Sequence, residues 1–181
     1  MTVTVEDLLT LDGPSLMDVL RGGHPIDPTS LDDTEYRGVS LGLPSVVERL
    51  SWKIFKKVFH RDRETGVLRG WNVRMKQTGS IDGPYEPQMR RGRRRTFGHY
   101  RVTSEEEHRV PFRTGGLLIH YGLGKNAPLD PIRRVRDPLV ALDAGSPELL
   151  FGWSYVDLGF TTVGTPSFFV LSRDVTLSHI A

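Results

Sequence analysis

The sequence predicts an α+β protein that is mainly β: a curved antiparallel sheet or barrel. A helical segment at 1–23 precedes it, and one amphipathic helix at about 45–59 covers an edge or opening. Three observations predict this. Glu148–Gly159 and Thr165–Arg173 are two aromatic-rich apolar runs joined by a Gly- and Thr-containing connection, the pattern of a β-hairpin. Seven or eight such short runs follow one another with links too short for a crossover helix, which makes neighbours antiparallel. The 19 glycines and 12 prolines suit many short strands and turns. A long antiparallel meander loses its edges by closing into a barrel or sandwich. At 181 residues the chain fits one domain, 1–181, with the barrel-like body over 34–174.

In chain order, Thr4 caps a helical turn that places Glu6 and Asp7 where the helix dipole favours acids. Pro14 restarts the helix, Leu16, Met17, Val19 and Leu20 give it an apolar stripe, and Gly22-Gly23 ends it. Glu35–Ser40 reads as a short strand. Val46, Val47, Leu50, Ile54, Phe55, Val58 and Phe59 recur at three- and four-residue spacing, which predicts the 45–59 helix, with Arg49, Lys53, Lys56 and Lys57 on its solvated side. Strands follow at Val67–Gln77, Arg94–Thr103, Gly116–Leu123 and Pro138–Asp143, with a shorter one at Arg109–Arg113. Asp130 caps a single helical turn through Arg136. The opening hairpin then leads into a tail over Val175–Ala181.

Composition narrows the chemistry. There is no cysteine, which removes disulfides, thiolate metal sites and cysteine nucleophiles. No apolar run approaches the roughly 18 residues of a membrane span. The first 20 residues lack a basic-then-apolar leader pattern, so a cytoplasmic location is the expectation. His24, His60, His99, His108, His120 and His179 are scattered without zinc spacing, so no metal is expected. No cofactor is expected either; a haem needs one axial ligand, for which His120 is the choice. No Gly-x-Ser-x-Gly elbow is present, and Gly122–Gly124 lacks the rest of a dinucleotide fingerprint.

Alternation along the strands separates their faces. Trp71, Val73 and Met75 oppose Asn72 and Arg74. Phe97, His99 and Arg101 oppose Gly98, Tyr100 and Val102. Tyr121 opposes His120, and Trp153, Tyr155 and Asp157 oppose Ser154 and Val156. Several strands are apolar on both faces, so their outside must also be covered. Asn72, Arg74, His99, Tyr100, Arg101, His120, Tyr121, Tyr155 and Asp157 are candidates to line one cavity, since barrel mouths take small apolar ligands with a few placed polar groups. Taken singly, strand arginines mostly face solvent, strand histidines are mostly half-buried polar residues, and Trp153 and Tyr155 are first of all core aromatics.

Glu35-Tyr36-Arg37-Gly38 resembles the x-Trp-x-Gly half of the Gly-x-Trp-x-Gly pattern of small lipocalin-like (calycin-type) bacterial barrels of unknown function, with tyrosine in the tryptophan place. Leu150-Phe151-Gly152 and Ser167–Arg173 resemble the end of such barrels. The likeness covers about a fifth of the chain, and the helix read at 45–59 departs from it. It implies an antiparallel ligand-binding barrel and carries no catalytic residue across.

The first functional expectation is a cavity that binds a small, largely apolar molecule with a polar or acidic group. Trp71, Tyr121, Trp153 and Tyr155 supply the wall, and Arg74, His99, Arg101 and His120 orient the polar end. A second is an isomerase, cyclase or lyase in the same cavity, with His99, His120 and Tyr155 as catalytic groups. A third is nucleic-acid or acidic-surface binding through Arg90, Arg91, Arg93, Arg94 and Arg95, set against a plain solvated charged loop balanced by Glu105–Glu107.

Overall fold

The computed structural model describes residues 3–42, 53–78, 80–177 and 180. Two short helices come first, α1 (Val5–Leu9) and α2 (Gly13–Arg21). Thr4 and Asp7 form a reciprocal capping box at α1, and Asp12 caps α2 through the Ser15 amide at 2.9 Å. The strands are β1 (Thr34–Leu41), β2 (Ile54–Arg61), β3 (Leu68–Arg74), β4 (Met89–Arg90), β5 (Arg93–Arg94), β6 (Thr96–Ser104), β7 (Leu117–His120), β8 (Val135–Ala141), β9 (Leu149–Asp157) and β10 (Thr162–Thr176).

Eight of the strands close an antiparallel barrel in the order β1-β10-β9-β8-β7-β6-β3-β2, with β2 returning to β1. Strands β4 and β5 form a separate two-stranded ribbon. Its turn residues Arg91 and Gly92 both have positive φ, 51° and 75°, as a two-residue hairpin turn that follows the strand twist requires.

Alternation within each strand sends one set of side chains into the barrel and the other outward. The end of the barrel formed by the start of β1 and the end of β2 is solid. Ile26 and Leu31 plug it from the preceding loop and pack on Tyr36, Phe59, Leu68, Tyr100, Leu139, Leu150 and Leu171. The buried phenols end on carbonyls: Tyr100 donates to Val58 at 2.7 Å and Tyr36 to Pro147 at 2.8 Å.

Large inward rings need small cross-strand partners. Gly152 stands opposite Phe169 and Gly38 opposite Phe55. A Cβ at Gly152 would lie 2.2 Å from the Phe169 ring, so glycine is what lets that ring lie over the neighbouring strand.

Outside, α1 and α2 bring Leu8, Leu16 and Leu20 onto Val39, Phe151, Trp153, Phe168 and Val170. A second outer patch, Ile54, Val58, Trp71, Val73 and Met75, is covered by Ile81, Tyr85 and Leu177. This explains why several strands are apolar on both faces.

Two sequence expectations are corrected. Residues 45–52 of the anticipated helix lie outside the described residues, while the remainder of that span falls in strand β2, Ile54–Arg61. The apolar spacing misled because the strand is buried on both sides: Ile54 and Val58 point outward, Phe55 and Phe59 inward, and together they imitate a helical stripe. The short strand expected at Arg109–Arg113 is irregular chain instead. It crosses the outside of β9, where Phe112 stacks on Trp153 with ring centroids 5.8 Å apart.

Candidate functional site

The barrel is hollow at the end where β1 stops and β2 begins. A cavity of about 380 Å³ opens there, walled by Phe55, Phe97, Ile132, Val135, Pro166 and Phe169. At its base lie Lys57, Asn72, Tyr121, Asp137 and Ser154. A size of a few hundred Å³ with apolar walls and few polar groups is characteristic of small-molecule sites.

The polar base is one connected network. Lys57 Nζ donates to Tyr121 Oη at 2.9 Å, and Tyr121 Oη donates to Asp137 Oδ2 at 2.9 Å. Ser154 Oγ donates to the other carboxylate oxygen at 2.8 Å, and Lys57 Nζ lies 3.6 Å from Asp137 Oδ2. Strands β2 and β8 are four steps apart whichever way the barrel is followed. Lys57 and Asp137 therefore meet across the full width of the lumen. Three rings surround the amine: Tyr100 and Phe169 at 4.9 Å and Tyr121 at 5.3 Å from ring centroid to Nζ, a cation–π arrangement.

Burial dominates the electrostatics of this pair. Both side chains are only 2% exposed. Desolvation pushes the Lys57 amine down to about 8, against the attraction of Asp137. Desolvation likewise raises Asp137, opposed by Lys57 and the Ser154 and Tyr121 hydroxyls. The Tyr121 phenol is raised as well, by burial and by the adjacent Asp137, and so stays protonated.

The candidates anticipated from the strand pattern do not gather in this cavity. Tyr121 and Asn72 line it. Arg74 does not line it; its guanidinium lies 5.1 Å over the Phe97 ring. Phe97 itself faces inward, because β6 carries an extra residue: Gly70 pairs with Tyr100 but Asn72 with Phe97, and Gly98 takes a φ of 53°.

Trp71, Trp153 and Tyr155 are buried, but on the outer face of the wall. Trp153 donates to the Thr165 carbonyl at 2.7 Å and Tyr155 to the Arg109 carbonyl at 2.9 Å. His99 faces out beside Trp71, and Arg101 is exposed. His120 also faces outward, its ring 4.7 Å from that of His108. Its Nδ1 accepts from the Leu123 amide at 3.2 Å. Burial, Arg136 and His108 hold it down at about 4. Cross-strand register places His120, Arg136 and Tyr155 in one outer row, separate from the cavity. Of the basic run, Arg94 bonds to buried Glu35 at 2.9 Å, while Arg90, Arg91, Arg93 and Arg95 are exposed.

Neither Lys57 nor Asp137 is among the site residues expected from the sequence. The helical spacing places Lys57 on a solvated side. Read instead as a strand, Phe55-Lys56-Lys57-Val58-Phe59 puts Lys57 between two phenylalanines on one face, and that alternation was the available signal. Asp137 carried no such signal, standing one residue before the strand read from Pro138.

Fold and site together define an antiparallel eight-stranded barrel with one plugged end and a polar-based cavity at the other, an architecture consistent with a lipocalin-like fold. Compared with protein-family models, curated proteins and solved structures, the chain matches none. No helix among the described residues is long and apolar enough to cross a membrane.

Proposed function

We propose that the barrel binds a small, largely apolar molecule bearing one polar group, with its apolar body in the mouth and its polar end on the Lys57–Tyr121–Asp137 network. The observation that carries this is a cavity wall of aromatic and aliphatic side chains closing onto a buried ion pair whose members are bridged by the Tyr121 hydroxyl. An apolar body gains about 25 cal/mol for each Å² it removes from water. A carbonyl or carboxylate at its end finds the Lys57 amine at the same base.

Calorimetric titration with naphthalene-2-carboxylate and naphthalene tests this, using the native chain and Val135→Trp, whose added ring fills the mouth. Saturable 1:1 binding that Val135→Trp abolishes, with its circular dichroism unchanged, is expected. Absence of binding by the native chain, or undiminished binding by the variant, refutes the proposal.

A further inference from the structure

We propose that Lys57 acts as a nucleophile towards carbonyl compounds, holding an aldehyde or ketone in the barrel mouth as a Schiff base. This rests on the cavity reading above and assigns that site its reactive class.

Several independent features favour it. Lys57 lines the base of a cavity that opens at the barrel end, and its side chain is only 2% exposed. Apart from Lys57 the chain carries its positive charge mostly as arginine, 19 against four lysines. An arginine here would offer charge and donors but no usable lone pair. Lysine is the cation that becomes a nucleophile once it loses a proton, and an apolar pocket promotes that loss. The downward displacement of the amine to about 8 agrees with this.

The route for the proton is in place. The ammonium passes a proton to Tyr121 Oη, and Tyr121 passes its own to Asp137 Oδ2, each across 2.9 Å. A neutral amine and a neutral carboxylic acid result, with the phenol restored. The amine nitrogen then forms a bond to the carbonyl carbon, and the C=O π pair moves to oxygen, which takes the proton held on Asp137. The now cationic nitrogen gives one of its own protons back through Tyr121 to Asp137, and a neutral carbinolamine results. The nitrogen lone pair next expels the hydroxyl group, which leaves as water on accepting that returned proton from Asp137. The product is an iminium ion. Overall, one amine and one carbonyl give one imine and one water, with no oxidant or reductant consumed. The iminium carries the same single positive charge as the ammonium it replaces, so Asp137 and the rings of Tyr100, Tyr121 and Phe169 stabilise it in turn.

The test is reductive trapping on the full native chain. The protein is incubated with naphthalene-2-carbaldehyde and cyanoborohydride, and the adduct is located by peptide mass mapping. One adduct on Lys57 is expected, formed at least about tenfold faster than on exposed Lys76 or Lys125. Excess naphthalene suppresses it, and prior unfolding in urea erases the preference. Lys57→Arg, which keeps the charge, loses the adduct. Should that variant not fold, the competition and unfolding arms on the native chain decide alone. Labelling that follows exposure and spares Lys57 overturns the Schiff base. If naphthalene still binds in that case, the cavity reading survives; if it does not, both fall.

Discussion

Asp137→Asn removes the counter-charge of Lys57 and keeps an acceptor oxygen for only one of the two hydroxyls, Tyr121 and Ser154, that donate to separate carboxylate oxygens. The lost hydrogen bond costs the same at every pH, so the pH dependence isolates the charge. At 3.6 Å and an effective dielectric of about 20, the lost attraction is about 4–5 kcal/mol, or roughly three pKa units. That exceeds what is needed to carry the amine from about 8 to below neutrality. The variant therefore holds Lys57 neutral across pH 7–9, whereas the native protein releases the proton within that range. The folded-state amine lies below its unfolded value of 10.5. The unfolded chain accordingly binds more protons, and native stability begins to rise as pH climbs past about 8. In the variant the rise is already under way at pH 7. The two curves converge or cross accordingly, and the variant's deficit shifts in its favour by about 1.4 kcal/mol between pH 7 and 9. Urea unfolding followed by the fluorescence of Trp71 and Trp153, both buried, measures this difference. A deficit that is the same at both pH values refutes the claim that Lys57 and Asp137 titrate as a coupled pair in the lumen.

Two further outcomes follow from the same geometry. His120 is held neutral, at about 4 in the folded state against 6.5 unfolded, so the unfolded chain takes up the proton first and stability falls as pH drops from about 6.5 to 4. The loss is on the order of 2 kcal/mol, and His120→Gln flattens that part of the stability–pH curve; a native curve that is level across this range contradicts the placement of the ring. Gly152→Ala drives a methyl group against Phe169, 2.2 Å away, at a cost of about 1–3 kcal/mol. Because Phe169 lines the cavity, the same variant weakens naphthalene binding in calorimetry, and unchanged affinity counts against Phe169 as a wall residue.

Much of the architecture was legible in the sequence. The β9–β10 hairpin, the antiparallel order and the two N-terminal helices follow from alternation, short links, Thr4 and Pro14. The wrong turn came at 54–59, where a strand with apolar residues on both faces shows no two-residue period to distinguish it from a helix. The site was harder to read. Alternation states that Trp71 and Asn72 face opposite ways but not which way is in, and the outer surface is as apolar as the lumen wherever α1, α2 and the 105–116 chain cover it. Aromatic content therefore pointed to Trp71, Trp153 and Tyr155 on the wrong side of the wall. The Gly98 bulge, which turns Phe97 inward, shifts the pattern by one residue and leaves no compositional trace. Lys57 and Asp137 are 80 positions apart and meet only once the barrel closes.

Occupancy of the mouth is measured most directly by methyl NMR on isoleucine-, leucine- and valine-labelled protein titrated with naphthalene. The structure predicts saturable shifts at Ile132 and Val135, which line the cavity, with the methyl groups of Leu8, Leu16 and Leu20 under the helices unmoved. Shifts confined to the outer helices, or none at all, would contradict a ligand-binding barrel mouth.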